Sequence, residues 1–127
     1  MSVLFNPNDE LVIIPVEAIG PKNTYVLRLA LDTGATGTVI NSSLLTSLGY
    51  DLTQAPEQLQ MTTGSAVALV PRLPVQKLSA LGQERIDFPV VAHTLPVSAA
   101  IDGLLGLDFL RGHTLTLDFA NGLITLA

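Results

Sequence analysis

The stretch Leu29-Ala30-Leu31-Asp32-Thr33-Gly34-Ala35-Thr36-Gly37-Thr38-Val39-Ile40 decides how this chain is read. Three apolar residues lead into one acid, Thr-Gly follows at once, and a further apolar segment closes the stretch. A strand ending in a core does not ordinarily deliver a carboxylate there, because burial strips an ionised group of its hydration. As a bare tripeptide, Asp32-Thr33-Gly34 is ordinary turn chemistry. A turn aspartate, however, needs neither the apolar lead-in nor the Val39-Ile40 segment behind it.

Working outward, the neighbouring segments read as strands. Leu11 to Ile19 is rich in Val and Ile and is followed by turn residues, Gly20-Pro21-Lys22-Asn23. Thr24 to Leu31 alternates, with Tyr25, Leu27, Leu29 and Leu31 on one face. The two form a hairpin that feeds into Asp32. Beyond the loop, Thr38-Val39-Ile40 is a short strand. Asn41 or Ser42 caps a helix through Leu48, and Gly49 stops it. Gln58 to Leu69 suits a second hairpin, turning near Thr62-Thr63-Gly64-Ser65. Val70 to Leu81, Gly82-Gln83 and Ile86 to Ala92 suit a third, and His93 to Ala100 is a loop. Gly106 opens a short helix to about Arg111. Thr114 to Phe119 and Leu123 to Leu126 flank Asn121-Gly122, the strongest hairpin signal in the chain. Asp102-Gly103 reads as a turn. The sum is an all-β chain of short antiparallel strands, closed as a barrel or sandwich, with one or two short helices.

Composition bounds the function. At 127 residues, residues 1–127 are expected to form a single domain. Apolar residues make up 48% and charged residues 13%, which argues against disorder. Prolines at 15, 71, 74, 89 and 96 and scattered charges interrupt every apolar run, so no membrane span is expected. The N-terminus lacks a basic segment followed by an apolar core, so a signal peptide is not expected and a cytoplasmic location is. With no cysteine, disulfide and thiolate chemistry are excluded. The net charge of −5 disfavours nucleic acid as a partner. His93 and His113 stand alone, without the spacing of a metal site, so no metal and no cofactor are expected. Ser42-Ser43 has no nucleophile-elbow pattern.

Two segments together carry a family resemblance. Leu29 to Ile40 resembles the active-site loop of aspartic proteases, apolar-apolar-Asp-Thr-Gly-Ala-Ser/Thr. Gly103-Leu104-Leu105-Gly106-Leu107-Asp108-Phe109-Leu110 resembles their second hallmark, an apolar-apolar-Gly segment running into a short helix. The short chain with one Asp-Thr-Gly resembles the retropepsin-like branch, single-lobe enzymes that work as dimers. Many retroviral members carry an Asp where Thr36 stands and an Arg where Leu107 stands. Both positions are uncharged here, a coordinated departure that points to a cellular or prokaryotic relative.

The resemblance implies a homodimeric aspartic endopeptidase with Asp32 as the catalytic residue, one from each subunit. Thr33 would lock the two loops across the dimer axis, and Gly34 would offer its N–H to the carboxylate. Ala35 would leave room for substrate main chain, and Thr36 would present a hydroxyl near the carboxylate. Thr63, Gly64 and Ser65 would form the tip of a flap over the substrate, with no aromatic lid. Leu104 would help line a substrate pocket, whereas Leu105 reads as core and Asp108 as a partner for free N–H groups at a helix start. The substrate would be a polypeptide with apolar residues near the cleaved bond. The alternative is a retropepsin-like module that dimerises and binds extended peptides with little or no catalysis.

Overall fold

The computed structural model describes residues 2–63 and 65–127. In chain order its elements are β1 (Ser2–Leu4), β2 (Ile13–Ile19), β3 (Thr24–Leu31), β4 (Val39–Asn41), α1 (Ser42–Leu48), β5 (Glu57–Thr63), β6 (Ala66–Ala80), β7 (Gln83–His93), β8 (Gly103–Leu105), α2 (Leu107–Leu110), β9 (Leu115–Asp118) and β10 (Leu123–Leu126). Single 3-10 turns lie at Leu52–Gln54 and Val97–Ala99. The expected all-β architecture with two short helices is what the chain adopts.

The larger sheet runs β2-β3-β8-β4-β7-β6-β5, and β2 also pairs with β6. That extra pairing closes six strands into a barrel and leaves β5 outside the ring, attached to β6. A closed ring leaves no open edge among its members. The barrel holds the main core. Ile14 and Val16 on β2, Leu27 and Leu29 on β3, and Val75 and Leu78 on β6 are almost fully buried, as are Leu105 and Phe109. A smaller sheet, β1-β10-β9, joins the two ends of the chain.

Local chemistry sets the boundaries. The Asn41 side chain accepts the Ser43 N–H at 3.2 Å at the start of α1, and Gly49 ends that helix at φ 109°. At the β9–β10 turn, Asp118 accepts both the backbone and side-chain N–H of Asn121. Those bonds stabilise the carboxylate and hold its pKa below the ordinary value.

Three features differ from the sequence expectations. Ser2–Leu4 forms a strand, pairing with Leu123–Thr125. The strands expected to end at Leu69 and begin at Val70 are one continuous β6. Its buried face shifts between Val75 and Leu78, where the Gln76 N–H turns to Tyr50 Oη at 2.8 Å and Asp87 adopts φ 50°. Finally, not every pairing is antiparallel, since β3–β8 and β4–β7 run parallel. Hairpin signals report only neighbours in sequence, and β8 inserts between β3 and β4 from far along the chain.

Candidate active site

That insertion builds the site. β3 and β4 flank the Asp32 loop, and β8 lies between them. The loop therefore crosses the end of β8, and the chain leaving β8 must pass against it. Gly106 stands at this crossing. A Cβ there would lie 2.7 Å from the Gly37 carbonyl and 2.9 Å from the Ala35 oxygen, so glycine alone fits without a backbone shift.

Hydrogen bonds tie the two segments together. The Asp32 N–H donates to Leu105 O at 3.0 Å, and the Leu107 N–H donates to Ala35 O at 2.9 Å. Beneath them, Thr38 is fully buried. Its hydroxyl donates to Asp108 Oδ1 at 2.7 Å and accepts the Gly106 N–H at 3.2 Å, while its own N–H donates to Asp108 Oδ2 at 3.0 Å. Asp108 Oδ1 also accepts the Phe109 N–H at 2.9 Å. The helix-start role expected for Asp108 is present, but Thr38 takes both of its oxygens. The Thr38–Asp108 pair was not singled out in the sequence. Its signal is Asp108 inside one apolar run and Thr38 at the head of another.

Asp32 itself is half-buried at the end of β3. Its Oδ1 accepts the Gly34 N–H at 2.9 Å. A Cβ at Gly34 would sit 3.1 Å from that same oxygen. Thr33 is exposed, and its hydroxyl has no hydrogen-bond partner among the described residues. Ala35 and Thr36 line a neighbouring cleft of about 690 Å³. Thr36 is exposed, and no hydrogen bond joins it to Asp32 among the described residues.

The rest of the cleft is mainly apolar. Val39, Val91 and Leu104 form one part of its wall, and Leu59, Met61 and Val70 of β5 and β6 another. Its charged side chains are Arg72 and Asp108. Leu104 thus lies in the wall, whereas Leu105 is wholly in the core. β5 and β6 pair up to Thr63 and Ala66, and Ser65 is exposed. Gly64 and the Thr63 side chain, expected at a flap tip, lie outside the described residues.

Three other polar groups have structural partners. Asp102 accepts the Arg28 N–H at 2.7 Å and so ties the approach to β8 onto β3. Arg85 lies 4.6 Å over the Phe109 ring and donates to Phe109 O at 3.1 Å, anchoring α2. His113 Nε2 is 3.1 Å from the same guanidinium. Because arginine only donates, that nitrogen acts as the acceptor. Among the described residues, no three His, Asp or Glu side chains converge as a metal site would require.

A barrel whose parallel β3–β8 pair presents an Asp-Thr-Gly loop beside an apolar cleft defines the retropepsin-like class. The family described as Aspartyl protease matches residues 16–109, and the chain belongs to that family. The fold is similar to a retropepsin-like aspartic protease from Rickettsia conorii, with TM-score 0.74 and 18% identity over 99% of this chain and 88% of that one. It is also similar to the retroviral protease-like domain of Ddi1 from Leishmania major, with TM-score 0.56 and 16% identity over 94% of this chain and 96% of that one. No curated protein matches the chain. No helix among the described residues is long and apolar enough to cross a membrane.

Proposed function

We propose that residues 1–127 form one protease domain that acts as a homodimeric aspartic endopeptidase. The observation that carries this reading is the Asp32 carboxylate, fixed through Oδ1 by the Gly34 N–H beside an apolar cleft. Two such carboxylates, one from each subunit, would meet on a two-fold axis. At a separation of about 3 Å they cannot both ionise, so they share one proton. The charged one takes a proton from a water as its oxygen attacks the peptide carbonyl. The neutral one gives its proton to the carbonyl oxygen. Collapse of the tetrahedral intermediate breaks the C–N bond as the departing nitrogen is protonated, leaving a carboxyl group and a free amine. The exposed, unpartnered Thr33 hydroxyl suits a contact across that axis.

The β5–β6 hairpin acts as the flap, closing on an extended peptide and excluding water. Apolar side chains beside the cleaved bond match the wall formed by Val39, Leu104 and Met61. Dilution tests the dimer. Analytical ultracentrifugation should show a monomer–dimer equilibrium, and specific activity on a peptide library should fall below its dissociation constant. Full activity in a strictly monomeric species would refute the proposal.

A further inference from the structure

The strand register places a cation at one end of the cleft. Leu104 of β8 pairs with Val39 of β4, Val39 with Val91 of β7, Val91 with Arg72 of β6, and Arg72 with Glu57 of β5. One row therefore crosses five strands. It begins on β8, the strand whose Leu105 carbonyl accepts the Asp32 N–H, runs over three apolar side chains, and ends in an ion pair. Residues opposite each other in a ladder share a face. The first four members of the row all line the cleft.

Of the two charged side chains in that wall, Asp108 is taken up by Thr38 and Phe109. Arg72 is held more loosely. Its Nη1 meets Glu57 Oε2 at 3.1 Å, with the two side chains 34% and 53% exposed. Exposed pairs of this kind are weak and exchange readily. A guanidinium offers five N–H donors in a flat fork, and Glu57 takes only one. The remaining donors suit a carboxylate, which arginine can bind through two parallel bonds.

We propose that Arg72 is a specificity-determining residue that selects an acidic side chain in the bound peptide, exchanging Glu57 for the substrate carboxylate. The inference rests on the peptide-cleft reading above. Strands lie about 4.8 Å apart, so Arg72 is three spacings from Leu104, or about 14 Å along the sheet. An extended peptide advances about 3.3 Å per residue. With the reach of the arginine side chain subtracted, the acidic residue lies roughly three positions from the scissile bond. In a two-fold dimer an Arg72 stands at each end, so the preference appears on both sides of that bond.

The test uses paired peptides that differ by Glu or Gln at each position. Cleavage is read by mass spectrometry with the native protein. Binding is read by fluorescence anisotropy with Asp32→Asn, which needs no turnover. At the position that meets Arg72, Glu should be favoured over Gln by about fivefold, the upper end for a partly exposed ion pair. Arg72→Gln should abolish that ratio, Arg72→Glu should reverse it towards Lys, and Glu57→Gln should increase it. A role confined to stability would move the melting temperature and leave the ratio unchanged. Selective binding of Glu peptides without any cleavage would strike the hydrolase and keep this inference. Cleavage with equal handling of Glu and Gln at every position would overturn the inference and keep the hydrolase. Absence of both binding and cleavage would overturn both.

Discussion

The Asp32 loop and the β5–β6 hairpin face the same cleft but are held in opposite ways. The loop is bound to β8, to the start of α2 and to β7. Asp32, Ala35 and Thr38 each make a backbone hydrogen bond to one of those elements, and Thr38 adds two bonds to Asp108. The hairpin's outer strand has less, since among the described residues β5 pairs with β6 alone, and β6 meets β7 only from Arg72 onward. The hairpin's Val67 and Leu69 are 65% and 66% exposed. Segments with few buried contacts open at low free energy, and those locked into a core open only with the whole fold. A reacting carboxylate must be held within fractions of an ångström, whereas a cover must move to admit a chain. The difference in anchoring is the one that the proposed protease site would require.

Gly106 is where the contrast breaks most severely. Gly106→Ala drives a methyl group into the Gly37 and Ala35 carbonyls, and overpacking of this kind costs about 3 kcal/mol. Urea denaturation should show a lower midpoint with an unchanged slope. A midpoint within error of the native one would mean that the loop is not packed as described. Next in size is Asp108→Ala, which strands the buried Thr38 hydroxyl and two N–H groups, at about 2 kcal/mol. Asp108→Asn keeps an acceptor oxygen and should cost about half as much. Equal losses in the two variants would show that Asp108 acts by filling space.

The smallest effect belongs to the hairpin. Leu69→Ser should change stability by less than about 0.5 kcal/mol, because the side chain is already largely in water. Hydrogen exchange sharpens the same comparison. Amides of β5 should exchange well before those of Asp32 and Leu107, and equal protection would remove the distinction between anchored loop and movable cover.

Much of this was legible in the sequence where the chemistry is local. Asn41 and Gly49 bound α1 because cap residues act within one turn. Thr24 to Leu31 shows its strand in its alternation, and Asn121-Gly122 its hairpin. The Asp-Thr-Gly loop and the Gly103–Leu110 segment were both readable as motifs. What escaped depends on distant partners. Ser2–Leu4 is too short to carry a period, and its mate is at the far end of the chain. β6 was expected as arms of two separate hairpins meeting at Leu69 and Val70, yet it runs on through Pro71 and Pro74, and Pro74 stands opposite Pro89, so the two missing N–H groups coincide in one pair. The Thr38–Asp108 bonds and the Arg72 row exist only because β8 enters between β3 and β4. No window along the sequence contains that event.

Asp32→Asn tests whether Asp32 is the catalytic base, with peptide cleavage and melting temperature measured together on native and variant protein. Amide and carboxylate have nearly the same shape, and the substitution removes the repulsion between two close acids. Cleavage should be abolished, because no base remains to activate water, while the melting temperature at neutral pH stays the same or rises. Cleavage retained by a folded Asp32→Asn protein would contradict a catalytic role for Asp32.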